Sequence, residues 1–196
     1  MLVTSLPGFQ DSVHDAQRAF RQLLQALARP GLTGTISTQL TPPTGLTLSC
    51  AAACLTLFDL ETAVWLQLEF NQSVASWLRF HTGCPMVATP AQADFAVVAD
   101  PSAMPELGAF KAGSATDPEA SATILIQVEG LTNGIPVEVR GPGIQETVEI
   151  APQLPSPFWQ QWQHNHQQYP LGIDVFLFAD DAVMGLPRTT QAEVRG

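Results

Sequence analysis

Strand-like and helix-like stretches alternate along the chain, and that interleaving predicts an α/β fold in which helices flank a mixed β-sheet. Three stretches carry the prediction. Residues 12 to 29 repeat apolar side chains at helical spacing and run into Pro30-Gly31, a helix stop. Residues 122 to 128, ATILIQV, form a short apolar run rich in β-branched residues, as a buried strand requires. Residues 173 to 178 and 182 to 186 are two further runs parted by the turn Ala179-Asp180-Asp181, and the hairpin they form makes the sheet mixed.

Taken in order, Ser12-Val13-His14-Asp15 opens the first helix in the manner of a capping box, with Val13, Ala16, Phe20, Leu23, Leu24 and Leu27 as its expected core face. Arg18, Arg21 and Arg29 belong to the same helix, either as a solvated face or as one that meets an anion or a partner. Residues 32 to 45 read as a Thr-rich strand and a Pro-Gly loop. Leu46 to Leu60 is apolar nearly all round, which predicts a buried helix. Ala63 to Leu68 reads as a strand, and Asn71 is expected to cap a helix over Gln72 to Phe80 with Val74, Trp77 and Leu78 inward. A strand near Phe95 to Ala99, a Pro-broken loop over residues 100 to 119 and the strand at 122 to 128 follow. Next come a strand over Val137 to Arg140, the turn Gly141-Pro142-Gly143 and a strand through Val148 and Ile150. Phe158, Trp159 and Trp162 at helical spacing predict the last helix before the hairpin. The length suits one domain, residues 1–196.

Charged residues make up only 13% of the chain, against about 25% in ordinary domains, so another chain is expected to cover part of its uncharged surface. A formal charge of -10 argues against binding nucleic acid or an anionic membrane, both of which need broad basic surfaces. The first residues lack a signal peptide's pattern, and no stretch approaches the roughly 20 apolar residues of a membrane span, so a cytoplasmic location is expected. The cysteines, Cys50, Cys54 and Cys84, are few and odd in number, which suits a reducing compartment.

Several groupings could carry chemistry. Cys50, Cys54, His81 and Cys84 offer a zinc-like set, but the spacing is looser than in paired CxxC sites and the Ala-rich surroundings favour buried thiols. Cys84 or a serine served by His81 or His14 lacks any nucleophile signature. Pro142 removes an N–H that a phosphate cradle at Gly141-Pro142-Gly143 would use. Lys111 is the one lysine available for a pyridoxal-phosphate Schiff base, and its loop reads more plainly as exposed surface. No cofactor and no metal are therefore expected. Asp174 reads as an edge or solvent-facing strand position of the hairpin and Arg188 as a surface charge.

A set of segments nevertheless falls in a distinctive order: Phe20-Arg21-x2-Leu24-x2-Leu27 before Pro30-Gly31, Arg79-Phe80-His81-Thr82, Gly113 through Pro118-Glu119, Gly141-Pro142-Gly143-Ile144, Ala151-Pro152-Gln153-Leu154-Pro155, Pro170-Leu171-Gly172-Ile173-Asp174 and Pro187-Arg188-Thr189-Thr190. In this order and spacing the chain resembles the PhnH family, the H subunits of the bacterial carbon-phosphorus lyase core complex, from about residue 9 to residue 194. The resemblance implies a homodimer-forming subunit that joins the G, I and J subunits in phosphonate breakdown. That assembly, with an ATP-binding-cassette-like partner, replaces adenine on a nucleoside triphosphate by a phosphonate at the ribose C1′ carbon; a separate iron-sulfur radical subunit later cleaves the carbon-phosphorus bond. The implied fold is similar to that of pyridoxal-phosphate-dependent transferases without the cofactor.

No catalytic residue carries over from the resemblance. Arg21, Arg79, Arg140 and Arg188 are the candidates for holding triphosphate or phosphonate oxygens, because guanidinium binds such oxygens in paired, charge-assisted contacts. His81 would protonate the leaving adenine only if it lay beside them. Three roles stay open: a substrate-organising subunit, a purely architectural dimer, and a stand-alone zinc or hydrolytic enzyme.

Overall fold

Helical runs and short apolar runs become, in chain order, α1 (Ser12–Ala28), β1 (Gly34–Thr35), α2 (Leu48–Leu57), β2 (Val64–Leu66), α3 (Gln72–Thr82), β3 (Phe95–Val98), β4 (Thr123–Gln127), β5 (Val137–Arg140), β6 (Val148–Ile150), α4 (Ser156–Gln167), β7 (Asp174–Ala179), β8 (Ala182–Leu186) and β9 (Gln191–Val194). The computed structural model describes residues 7–67 and 72–195; the expected cap at Asn71 and the strand end at Leu68 lie outside them. A six-stranded sheet runs β1-β8-β7-β4-β3-β2, with β2, β3, β4 and β7 parallel, the hairpin partner β8 antiparallel to β7, and the edge strand β1 antiparallel to β8. It is the mixed, helix-flanked sheet expected.

Its central strands have no solvent side. Leu125, Val97, Phe176 and Phe178 pack with Val183 under α1, α2 and α3, while Ile124, Ile126, Val98, Val175 and Leu177 face Phe158, Trp159 and Trp162 of α4. Strand periodicity of two, with both faces apolar, demands helices on both sides. Outside α4 lies a second antiparallel sheet, β6-β5-β9, whose Val137, Val139, Ile150 and Ala192 complete that core. Strand β9 was not expected from the sequence: with only Ala192 buried, QAEV has no apolar run to betray it. The stretch from 100 to 119 is not plain loop but holds 3-10 turns at Pro101–Ala103, Leu107–Ala109 and Pro118–Ala120.

Two expectations about α1 are corrected. Its N-cap is Asp11, not Ser12: the Asp11 carboxylate accepts from the His14 N–H at 3.1 Å, and Asp15 accepts from the Asp11 N–H at 3.1 Å. Its buried line is Asp15, Ala19, Leu23 and Ala26, with Val13, Phe20 and Leu24 left 72%, 51% and 54% exposed. The reason lies in β8. A Cβ on Gly185 would stand 2.5 Å from the Ala26 carbonyl oxygen, so helix and strand approach too closely for bulky side chains and the alanine line turns inward. Leu27 is half-buried against the same core.

The substitution Gly185→Ala is therefore expected to overpack the α1–β8 contact and lower stability by about 1–3 kcal/mol in urea unfolding, while the equivalent change at Gly108, where an added Cβ meets nothing within 4 Å, should be near neutral.

Candidate functional site

Strand ends decide where a site can form, because the last backbone groups of a buried sheet need partners. At the C-terminal rim two buried glutamines supply them. Gln67, just past β2, accepts from the Ala99 and Asp100 N–H groups at 2.8 and 2.9 Å and donates to the Asp100 carbonyl at 2.8 Å. Gln127, the last residue of β4, accepts from the Thr47 N–H at 2.6 Å and donates to the Gly45 carbonyl at 2.8 Å. Between these clamped loops opens a cavity of about 890 Å³, lined in part by Thr47, Asp100, Ser102, Gln127, Asn133 and Gln153. It lies beyond the carboxyl ends of parallel strands, where open α/β sheets hold ligands, and it matches the roughly 300–1,000 Å³ of small-molecule sites. Thr47, the N-cap of α2, and Pro155, the N-cap of α4, both line it.

Its ionisable lining is acidic. The Ser102 hydroxyl and backbone N–H hold the Asp100 carboxyl below its usual range, and among the described residues Glu129 is the other lining carboxylate and no Lys, Arg or His lines the cavity. Such a wall suits a neutral or cationic polar group rather than an anion. No sequence motif announced this cavity; the only available signal was a glutamine closing an otherwise apolar strand, as in Thr123–Gln127.

The opposite rim carries ion pairs. Asp174, at the start of β7, accepts from the Arg188 backbone N–H at 2.8 Å and from its guanidinium through Nε and Nη2. Arg188 also donates to the carbonyls of Pro118 and Pro170 and to the Ser121 hydroxyl. All five guanidinium donors thus have protein acceptors, and both side chains are mostly covered, at 13% and 20% exposure. Asp174 and Arg188 are accordingly not the edge residue and surface charge that the sequence suggested. Lys111 pairs with Asp94 at 2.5 Å on the same rim, and Asp94 also accepts from the Ala63 N–H at 2.8 Å. The chain's one lysine is thereby kept at the end of the sheet away from the cavity.

The other sequence candidates are dispersed. Arg21 lies beside Arg18 on α1, and Arg79 is exposed on α3; both helices cover the same sheet face. Arg140, on β5, donates to Gln191 at 2.7 Å and lines a recess with His166, Glu138 and Glu193; His166 Nδ1 in turn lies 2.9 Å from the Arg188 carbonyl. Arg21 and Arg79 are therefore separated by the sheet from Arg140, and the chain alone does not gather the four arginines. His81 packs against Trp77 and Phe80, two residues from Arg79 on a helix, a spacing that points side chains apart.

Cys50, Cys54 and Cys84 are buried free thiols; burial, with Cys50 beside it, pushes Cys54 well up, and burial also raises Cys84. Among the described residues no group of three or more His, Cys, Asp or Glu side chains could hold a metal ion. The turn at Gly141–Gly143 serves packing: a Cβ on Gly143, which has φ +86°, would lie 2.2 Å from the Ala28 carbonyl oxygen. Among the described residues no helix is long and apolar enough to cross a membrane.

Fold and rim together define an open α/β domain with covered sheet faces and a polar cavity at the C-terminal edge. The family model described as "Bacterial phosphonate metabolism protein (PhnH)" matches residues 7–193, and the chain belongs to that family. It is 41% identical, over 95% of its own length and 94% of the relative's, to the alpha-D-ribose 1-methylphosphonate 5-triphosphate synthase subunit PhnH of Rhizobium meliloti (strain 1021). Over 43% of its length and 44% of the relative's it is 34% identical to HtxG of Stutzerimonas stutzeri, which is provisionally named a C-P lyase subunit.

Removing the guanidinium in Arg188→Ala leaves Asp174 without its partner and should lower stability by about 2–4 kcal/mol, with Arg188→Lys recovering only part, because an ammonium cannot span the same acceptors. Chemical unfolding of both variants checks this.

A pH effect is expected at Asp94. Burial pushes its carboxyl up, but the Lys111 ammonium and the Ala63 N–H together hold it below the usual carboxylate value. Its contribution is then complete above the ordinary carboxylate range and lost as pH falls through the lowered folded value. Thermal melts across acid pH should show a shallower loss for Lys111→Gln than for the parent chain.

Proposed function

We propose that this chain is a non-autonomous subunit of the carbon-phosphorus lyase core assembly. In that role it supports transfer of a phosphonate to the ribose C1′ carbon of a nucleoside triphosphate with displacement of adenine. The observation that carries the reading is the near full-length identity to a protein named as a subunit of the ribose 1-methylphosphonate 5-triphosphate synthase. We place the chain in the cytoplasm as one domain over residues 1–196, forming a homodimer that joins the G, I and J subunits. Its sheet keeps the plan of pyridoxal-phosphate-dependent transferases without the cofactor.

The surface that suits assembly is the Val13, Phe20 and Leu24 stripe of α1, since subunit interfaces are apolar and poor in charge at their cores. Arg21 and Arg79 supply anion contacts on this side of the molecule, and His81 acts only if a neighbouring subunit completes its surroundings.

A purely architectural role is the second reading. What favours it is Arg188, whose donors hold the protein's own strands and loops and leave none for substrate.

Co-purification of the tagged chain with the other core subunits, followed by the adenine-displacement assay with the chain present or omitted, tests both. Assembly that survives omission while adenine release stops supports a direct contribution to the site; failure of the others to assemble makes the role architectural; recovery of no partner refutes both. The double substitution Phe20→Glu with Leu24→Glu should reduce partner recovery or dimer content about tenfold or more while leaving the circular dichroism spectrum unchanged, because both side chains are already in solvent.

A further inference from the structure

An acidic chain with 8 basic residues must concentrate positive charge wherever it binds an anion. The two larger recesses described above do not do so: the rim cavity is lined by Asp100 and Glu129, and the recess around Arg140 by Glu138 and Glu193. A third, of about 220 Å³, lies between α1 and β1 and is lined by Arg18, Arg21, Gln22, Thr35 and Ser37, with no carboxylate among the described residues that line it. Residues three apart on a helix share a face, so both guanidinium groups border one opening. Arg18 is anchored through one terminal nitrogen to Asp15, leaving its other donors unclaimed. Arg21 is exposed and makes no ion pair or hydrogen bond with the described residues.

Strand β1 adds to this. It is the edge of the sheet, and the Ile36 N–H is directed inward to the Asp181 carbonyl at 2.8 Å. Alternation along the strand then turns the Thr35 N–H outward, toward the open edge, and Thr35 lines the recess. Two guanidinium groups, Arg18 paired with Asp15 outside the recess and Arg21 unpaired among the described residues, and a strand-edge N–H form a donor-rich rim. At about 220 Å³ the space is smaller than the roughly 300–1,000 Å³ of sites that enclose a whole small molecule, so it suits one terminal group.

We propose that the α1–β1 recess is an oxyanion subsite that takes a phosphoryl or phosphonyl group, with Arg21 as its principal contact and Arg18 in support. The choice of phosphorus oxyanions over carboxylates rests on the function proposed above.

The test is titration of the full chain with methylphosphonate, tripolyphosphate and acetate, followed by calorimetry or amide shifts at low and high salt, for the parent, Arg21→Gln and Arg140→Gln. Partner recovery is scored for each variant. We expect methylphosphonate or tripolyphosphate to bind in preference to acetate, about tenfold weaker binding in Arg21→Gln, little change in Arg140→Gln and weakening with salt. Equal binding by the parent and Arg21→Gln overturns the subsite. So does the absence of binding by any probe together with loss of partner recovery in Arg21→Gln, which makes Arg21 a protein contact and leaves the assembly reading intact. Arg21-dependent phosphonate binding by a chain that recovers no partners supports the subsite while refuting the assembly reading.

Discussion

A sheet buried on both faces has unpaired backbone groups only at its strand ends and along its edge strands, and satisfying the ends governs much of this structure. The strands from β2 to β7 can be apolar throughout because α1, α2 and α3 seal one side and α4 the other. Their ends cannot be apolar. At one rim Asp174 with Arg188 and Asp94 with Lys111 tie together the starts of neighbouring strands and the loops around Pro118, Pro170 and Ala63. At the other, Gln67 and Gln127 hold loop backbone through uncharged side chains. Charged pairs can close an end completely, whereas amides that clamp loops apart leave a space between them.

That contrast explains why the conspicuous charges of the sequence are poor guides to chemistry here. Arg188 and Asp174 stand out in an apolar hairpin because the fold needs a strong tie there, one that satisfies a planar, five-donor group with oxygen atoms from several segments. The residues of the rim cavity stand out in nothing: serine, threonine, asparagine and glutamine scattered over loops that are distant in sequence.

The main elements were legible in the sequence because periodicity reports burial. Ile124, Leu125 and Ile126 announced a doubly covered strand, and Trp159 and Trp162 a helix facing it. The face of α1 was not legible, since Val13, Phe20 and Leu24 have the helical spacing of a core while the true contact depends on Gly185, more than a hundred residues away. Propensity cannot register a close approach between backbones. β9 escaped for the opposite reason, being held by its ladder to β5 and by α4 rather than by its own side chains. The arginines were legible as residues but not as a set, because helices and sheets that place them on different faces are joined only in three dimensions.

The rotation of α1, which keeps Leu23 in the core as expected but turns Val13, Phe20 and Leu24 out, has a further consequence. Large apolar side chains turned to solvent destabilise nothing within the monomer, yet they invite association, and Val13, Phe20 and Leu24 alternate along the helix with Arg18 and Arg21. A face of this kind combines the apolar area that favours a partner with cations that remain at its margin. In a chain of net charge -10, cations beside an apolar stripe are the groups least screened once a partner excludes water from it. Assembly would therefore strengthen any anion contact made by Arg21, so that a subunit weakly competent alone gains its binding strength from the complex that covers it.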